Sequence, residues 1–298
     1  MQPPTVTTVT ASACATAQVA AIGSRTLERA AAFARAQKLD VTTLHGTYEA
    51  LAADETIDIV YIATPSFRHV SDSIACLSCG RAVLCEKSMA TSFSEASRVI
   101  ELARARGLFF SHGVWSRFFP VMTEIRRQIE SGAIGEIRSV HASFCQNDGA
   151  GSCSAMSETG IYCVQFLLWV YGGVAPQVVG VQYSLHPETG QDEHVAALLR
   201  FPCGGIGSFE CSLAHASPRT ATICGTKGVI EVPFPFWCPT ALTVQTMTGL
   251  GSQTFGEKLT ITIPLPEIPG PFNFVNSQGL LYEAAEATRC ILANEVEP

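Results

Sequence analysis

Charge is what this chain has least of. Only 15% of its 298 residues are Asp, Glu, Lys or Arg, against about 25% in an ordinary soluble domain. Beside a 47% hydrophobic content, that shortage excludes a disordered chain, which needs the opposite balance. It also leaves little charge to cover a lone molecule, so a large buried interface is expected. Basic runs are absent too. The 19 basic and 26 acidic residues give a net charge of −7 and form no stripe for a phosphate backbone to follow, which excludes a nucleic-acid partner. Long apolar runs are missing as well. The most apolar stretch, Ile161 to Val170, contains Gln165 and falls far short of the roughly 20 residues that span a bilayer. The start, Met1-Gln2-Pro3-Pro4, has neither the basic residues nor the apolar run of a secretory leader. The expectation is a cytoplasmic protein with no membrane partner.

Cysteine is not scarce: there are 12. Without a secretory leader they read as free, buried thiols rather than disulfides. Cys76 and Cys79 form one CxxC with no second pair at zinc spacing, so ordinary helix packing is expected there. No His, Cys, Asp and Glu cluster shows metal spacing and no G-x-S-x-G motif is present, so no metal is expected.

The first half alternates strand and helix patterns. Residues 18–22 form a short apolar run ending at Gly23, and Thr26 to Gln37 is rich in Ala, Glu and Arg with apolar residues at helical spacing. Ile57 to Ile62 is a β-branched run stopped by Thr64-Pro65, hence a buried strand. His69 to Cys79 is helical and ends at Gly80. Ala82 to Cys85 is a strand, Ser92 to Arg106 a helix closed by Gly107, and Leu108 to Phe110 a further strand. Strands separated by such helices imply βαβ units and a parallel sheet. From about Ile137 the character changes to closely spaced extended runs, 138–144, 178–185, 194–201, 207–214, 220–224 and 229–232, with one helix over 161–171. The expected fold class is therefore α/β: a Rossmann-like parallel-sheet domain over residues 1–115, incomplete at its N-terminus. A C-terminal α+β domain with an open, mostly antiparallel sheet follows over residues 116–298.

The order of several separate motifs is specific. Asp58-Ile-Val-Tyr-Ile-Ala-Thr-Pro65, then His69, then Gly80-Arg-Ala-Val-Leu-Cys-Glu-Lys87 resembles the Gfo/Idh/MocA oxidoreductase family. Trp115-Ser-Arg-Phe-Phe-Pro120, Gly132-Ala-Ile-Gly-Glu136, Gly160-Ile-Tyr162 and Gly225-Thr-Lys-Gly228 resemble its dihydrodiol and D-xylose dehydrogenase branch. The likeness runs from about Val19 to Cys290. It implies hydride transfer between NADP or NAD and a hydroxyl or carbonyl carbon of a diol, a sugar or a related small molecule. It also implies a homodimer built through the C-terminal sheet. Lys87 matches the family's Glu-Lys-Pro lysine near the reacting hydroxyl. Glu158 and Tyr162 match, in that order, an acidic residue of the family and the site-lining residue four positions on. By the same resemblance Ser24, Arg25, Thr64, Pro65, His69 and Glu86 are expected at the cofactor, and Trp115 and Arg117 at the substrate. An arginine following the second strand pattern suits the 2′-phosphate of NADP.

The departures from the family pattern are as specific as the matches. No G-x-G-x-x-G turn precedes Val19, although such a turn and the helix behind it hold the pyrophosphate. Thr5 to Thr10 reads as a substitute first strand, but the eight residues from Ala11 to Gln18 are too few for a crossover helix. Ser88 stands where the family has proline, Glu158 where it has the shorter aspartate, and His112 where it has an acid. A histidine there is a candidate general acid or base near neutral pH. Both ends read as shorter than the pattern, which normally adds one more helix after 282–292. Three readings follow: an NADP- or NAD-dependent oxidoreductase, a cofactor-independent lyase, isomerase or cyclase using Lys87, His112, Glu158 and Tyr162 and needing no dinucleotide, or a non-catalytic dimeric remnant that binds a partner or ligand.

Overall fold

The computed structural model describes residues 17–41, 43–248, 255–268, 270 and 272–298. It divides into two units, residues 1–114 with 280–298, and residues 115–279.

In the first unit, β1 (Ala21–Gly23) is followed by α1 (Leu27–Ala36). Thr26 starts that helix by accepting the Arg29 amide at 3.3 Å, a serviceable N-cap. β2 (Thr43–His45) and the short α2 (Tyr48–Ala52) come next, and β1 pairs with β2 in parallel. Then β3 (Ile59–Ile62), α3 (Ser66–Ser78), β4 (Ala82–Glu86), α4 (Phe93–Arg106) and β5 (Phe110–Gly113) build a three-stranded parallel sheet in the order β3-β4-β5. Alternation explains the unbroken apolar run of β4. Val83 and Cys85 enter the core with Leu77 and Val99, while Ala82 and Leu84 pack on the other face with Ala287 and Cys290. A strand covered on both faces has no polar side. Gly107, at φ 62°, ends α4 in the left-handed conformation that favours glycine.

The helix that supplies Ala287 and Cys290 is α7 (Leu280–Leu292). It therefore belongs with the first unit, whereas the sequence boundary placed residues 116–298 together. Its apolar face fits the free side of β4, so burial assigns it there. β1 pairs only with β2, and β3 only with β4, among the described residues. A cavity of about 460 Å³ lies between them, lined by Ala17 to Ala21 on one side, Ile57 to Tyr61 on another, and α7. Among the described residues no strand joins these two halves of the sheet. The proposed substitute strand, Thr5 to Thr10, lies outside the described residues.

The second unit begins with a 3-10 turn (Trp115–Phe118) and α5 (Pro120–Glu130). Its eight-stranded sheet has the order β13-β12-β11-β10-β6-β9-β8-β7. Those strands are β6 (Ile137–Cys145), β7 (Gln177–Leu185), β8 (Asp192–Arg200), β9 (Ile206–Ser212), β10 (Ala221–Gly225), β11 (Gly228–Val232), β12 (Ala241–Thr246) and β13 (Leu259–Thr262). All pairs are antiparallel except β6 with β9. A single helix, α6 (Ile161–Val170), covers one face, burying Tyr162, Cys163, Phe166, Leu167 and Val170 at helical spacing. No helix among the described residues is long and apolar enough to cross a membrane.

Candidate functional site

α/β sheets place ligands beyond the carboxyl ends of their strands. In the first unit those ends carry Ser24-Arg25 after β1, Thr64-Pro65 after β3, Glu86-Lys87 at β4 and His112 in β5. Ser24 is buried and its amide bonds the His45 carbonyl at 3.0 Å, while Arg25 is exposed. Pro65 directly precedes α3. Thr64 has a buried hydroxyl with no hydrogen-bond partner, an acceptor-and-donor group of the kind that ligands satisfy.

His69, 1% exposed, braces this edge. Its Nδ1 lies 2.7 Å from the Ser88 carbonyl and its Nε2 2.6 Å from the Thr64 carbonyl. One ring therefore ties the turn after β3 to the turn after β4. The family resemblance expects this residue at the cofactor; its hydrogen-bond contacts in the structure are to backbone.

Glu86 is occupied in the same way. It accepts the Tyr61 hydroxyl through Oε1 and the Lys87 amide at 3.0 Å through Oε2. Glu283 of α7 is buried close by, and burial together with the Glu86 charge pushes its carboxyl well above the usual range. The Tyr61 phenol is likewise raised, by burial first and the Glu86 charge second. Sequence reading missed Tyr61 and Glu283, because nothing in a β-strand or helix pattern marks a side chain that reaches a neighbouring strand's end. Tyr61 holds the Glu86 carboxylate, which in turn accepts the Lys87 amide and so steadies the backbone from which Lys87 projects.

His112 is the residue expected as a general acid or base near neutral pH. Its Nε2 accepts the Met89 amide at 3.2 Å, and burial, with a smaller contribution from His69, lowers it to about 4. It is a neutral imidazole above about pH 5, serving as acceptor for the chain just beyond Lys87-Ser88. His112→Ala should leave the Met89 amide unpaired and cost about 1–3 kcal/mol of stability. Its activity should fall without any change in the pH profile between 5 and 8. A profile that loses a limb in that range on substitution would restore His112 as a proton carrier.

In the second unit, Trp115 is buried and donates its indole N–H to the Tyr162 hydroxyl at 3.1 Å. Tyr162 also stacks on Phe144, with ring centroids 5.7 Å apart. Trp115 sits edge-on to Phe119 and Phe274. It is 4% exposed, so its contribution is to orient the phenol. Arg117 is exposed and lies over the Trp169 ring at 5.3 Å, beside Arg126 at 4.7 Å. Glu158 lies on a π-helical turn, Met156–Gly160, that leads into α6, four residues before Tyr162. Such turns add a residue to the helix and recur at functional sites. The turn was not foreseen from the sequence.

Residues 5–114 match the model described as the oxidoreductase family, NAD-binding Rossmann fold, and residues 122–231 match the GFO/IDH/MocA C-terminal domain. The chain belongs to the Gfo/Idh/MocA oxidoreductase family. Within this family it is 37% identical over 286 residues to the trans-1,2-dihydrobenzene-1,2-diol dehydrogenase of Sus scrofa, covering 92% of this chain and 80% of that one. The Danio rerio enzyme of the same name is 35% identical over 286 residues, covering 93% and 80%. Two solved structures share the fold. A 3-ketoreductase from Actinomadura kijaniata in complex with TDP-benzene and NADP gives a TM-score of 0.76 at 23% identity, over 94% of this chain and 83% of that chain. A levoglucosan dehydrogenase in complex with NADH and levoglucosan gives 0.79 at 20% identity, over 94% and 82%.

A nicotinamide dinucleotide fits the described residues of this family member at two places. The partnerless Thr64 hydroxyl and the braced turns after β3 and β4 suit an amide-bearing ring, and the exposed Arg25 after β1 suits the adenosine end. No G-x-G-x-x-G turn precedes β1 in the sequence to hold the pyrophosphate.

Proposed function

We propose that this protein catalyses NADP-dependent hydride transfer on a vicinal diol or sugar, interconverting a hydroxyl and a carbonyl carbon. The observation that carries the reading is the Glu86-Lys87 end of β4, locked by Tyr61 and the His69 brace, in a chain 37% identical to dihydrodiol dehydrogenases.

The dinucleotide supplies the hydride acceptor or donor. The chain's own residues handle the proton. Oxidising an alcohol needs a base at the hydroxyl, and reducing a ketone needs an acid there. Within the first unit Lys87 is assigned that proton transfer. The Trp115 N–H bonded to the Tyr162 oxygen holds that hydroxyl in place. Glu158 is assigned to a substrate hydroxyl, and Arg117 to the substrate's outer face.

The test is to titrate the purified chain with NADPH and NADH, following fluorescence, and then to assay oxidation of a dihydrobenzenediol and of a pentose. Saturable binding with turnover is the expected result. Failure to bind either cofactor at millimolar concentration would leave the cofactor-free lyase or isomerase reading in its place.

Arg25 is assigned the 2′-phosphate of NADP. A charge-assisted hydrogen bond of about 1.5–3 kcal/mol corresponds to roughly 10–100-fold. Arg25→Glu should therefore weaken NADPH by that factor and leave NADH nearly unchanged. Equal loss for both cofactors would reject the assignment.

The low charge content and the open sheet support a homodimer. β7 is exposed along all nine residues, including Val178, Val181 and Tyr183 at 60%, 50% and 59%. Exposed apolar edges of this kind mark interfaces. Light scattering should give twice the chain mass, and Val181→Glu with Tyr183→Glu should give the monomer. A monomeric parent protein would remove the proposal.

A further inference from the structure

The strongest cluster outside the residues discussed so far lies on the sheet of the second unit. Cys145 ends β6, Glu210 lies in β9, and His215 follows β9. Their candidate ligand atoms all lie within 4.8 Å of one another. Sequence spacing could not reveal this, since Cys145 and Glu210 are 65 positions apart. Register brings them together. Cys145 stands opposite Ser212 in the β6–β9 ladder, and Ser212 stands opposite His194 in the β9–β8 ladder. Side chains alternate faces along a strand, so Cys145, Ser212, Glu210 and His194 share one face, the one that α6 does not cover.

We propose that Cys145, Glu210 and His215 bind a divalent transition-metal ion of the zinc class, with the fourth position left to water. The donor set is a thiolate, a carboxylate and an imidazole, the combination that zinc and its neighbours take. Bond lengths of about 2.3 Å to sulfur and 2.0–2.2 Å to nitrogen or oxygen, at tetrahedral angles, set ligand atoms about 3.4–3.6 Å apart. The Cys145 Sγ to Glu210 Oε1 separation is already 3.6 Å. The remaining pairs need to close by little more than 1 Å, within the reach of the exposed His215 side chain. None of the ion pairs among the described residues involves Glu210, so the carboxylate has no protein cation to neutralise it.

A second observation points the same way. The His194 ring lies edge-on to His215 with centroids 4.8 Å apart, and its Nε2 is buried without a hydrogen-bond partner. A buried nitrogen of that kind calls for an unfilled ligand, and a metal-bound water supplies one. Binding breaks the Cys145 S–H bond and forms a sulfur–metal bond, the proton leaving to solvent. It also staples the connection after β9 to the end of β6.

The experiment uses the untagged full chain, stripped with a chelator and titrated with Co²⁺. One equivalent should bind with a thiolate-to-cobalt charge-transfer band and intense visible bands, be displaced by Zn²⁺, and raise the Tm by several degrees. Cys145→Ser should abolish the charge-transfer band. His215→Ala changes an exposed residue and leaves the sheet intact; it should weaken binding at least tenfold, as should Glu210→Gln. Cys203→Ser, at an exposed thiol outside the cluster, should change nothing. A charge-transfer band that survives Cys145→Ser, binding unaffected by His215→Ala, or no band at all would overturn the proposal.

Discussion

Lys87→Met should reduce kcat by about 10³-fold or more while changing the dissociation constant for NADPH by less than about threefold. Methionine keeps an unbranched apolar stem and removes the charge, so the change deletes a proton carrier and leaves the packing. Proton transfer by a positioned group contributes about 10²–10⁴-fold, and loss of the cationic charge beside the reacting oxygen adds to it. The turn itself should survive the change. Its backbone is held by Glu86 on the Lys87 amide, by the Tyr61 hydroxyl on Glu86, and by His69 across to the Ser88 carbonyl, and none of these bonds uses the lysine side chain. Stopped-flow and cofactor-titration measurements on the same preparation separate the two quantities. A variant that keeps a tenth of the activity, or that loses cofactor binding in proportion, would show that Lys87 only shapes the cofactor turn.

Glu283→Gln should make the protein more stable at pH 8 and nearly neutral in effect at pH 4. Glu283 is 3% exposed, one carboxyl oxygen has no partner, and the Glu86 charge lies nearby. Burial and that charge raise its pKa well above 4.5. A raised folded-state pKa gives full stability below the unfolded value and loses it as pH rises towards the folded value. In that window the folded state holds one proton more than the unfolded state. Stability therefore falls by about 1.4 kcal/mol per pH unit from this group. Glutamine has no proton to lose and keeps nearly the same shape, so the variant should lack that slope. Urea denaturation of both proteins from pH 4 to 8 gives the difference, because groups distant from Glu283 contribute equally to both. Parallel curves would mean that Glu283 is ionised in the folded protein, and that the Tyr61–Glu86–Glu283 cluster is arranged differently.

The parallel strands of the first unit were legible because burial on both faces forces a continuous β-branched or apolar run, as in Ile59–Ile62 and Ala82–Glu86. The helix ends were legible from Ser92, Gly80 and Gly107, whose chemistry is local. β2 escaped because three half-buried residues leave no pattern. The amphipathic α5 is not among the elements read from the sequence, although Pro120 at its first turn is a start signal. The strand expected at Leu108 to Phe110 is found at Phe110–Gly113, because pairing with β4 rather than apolar content sets its register.

Motif order marked Lys87, Tyr162 and Glu158 in the sequence, but their supports were not visible there. The Trp115 bond to Tyr162 spans 47 positions and the Tyr61 bond to Glu86 spans 25. Bonds of that range depend on register and packing, which no local pattern encodes. His112 shows the same limit: its type suggested a proton carrier, while its bond to the Met89 amide and its burial depend on packing.

The central claim is hydride transfer, and the direct measurement is the fate of the hydride. The protein is incubated with NADPH deuterated at the transferring C4 position and an α-hydroxyketone or ketosugar, and the product is examined by mass spectrometry. The account predicts one deuterium in each product molecule, on the carbinol carbon, with one NADP formed. Product that forms without the cofactor, or that carries no deuterium, would contradict it.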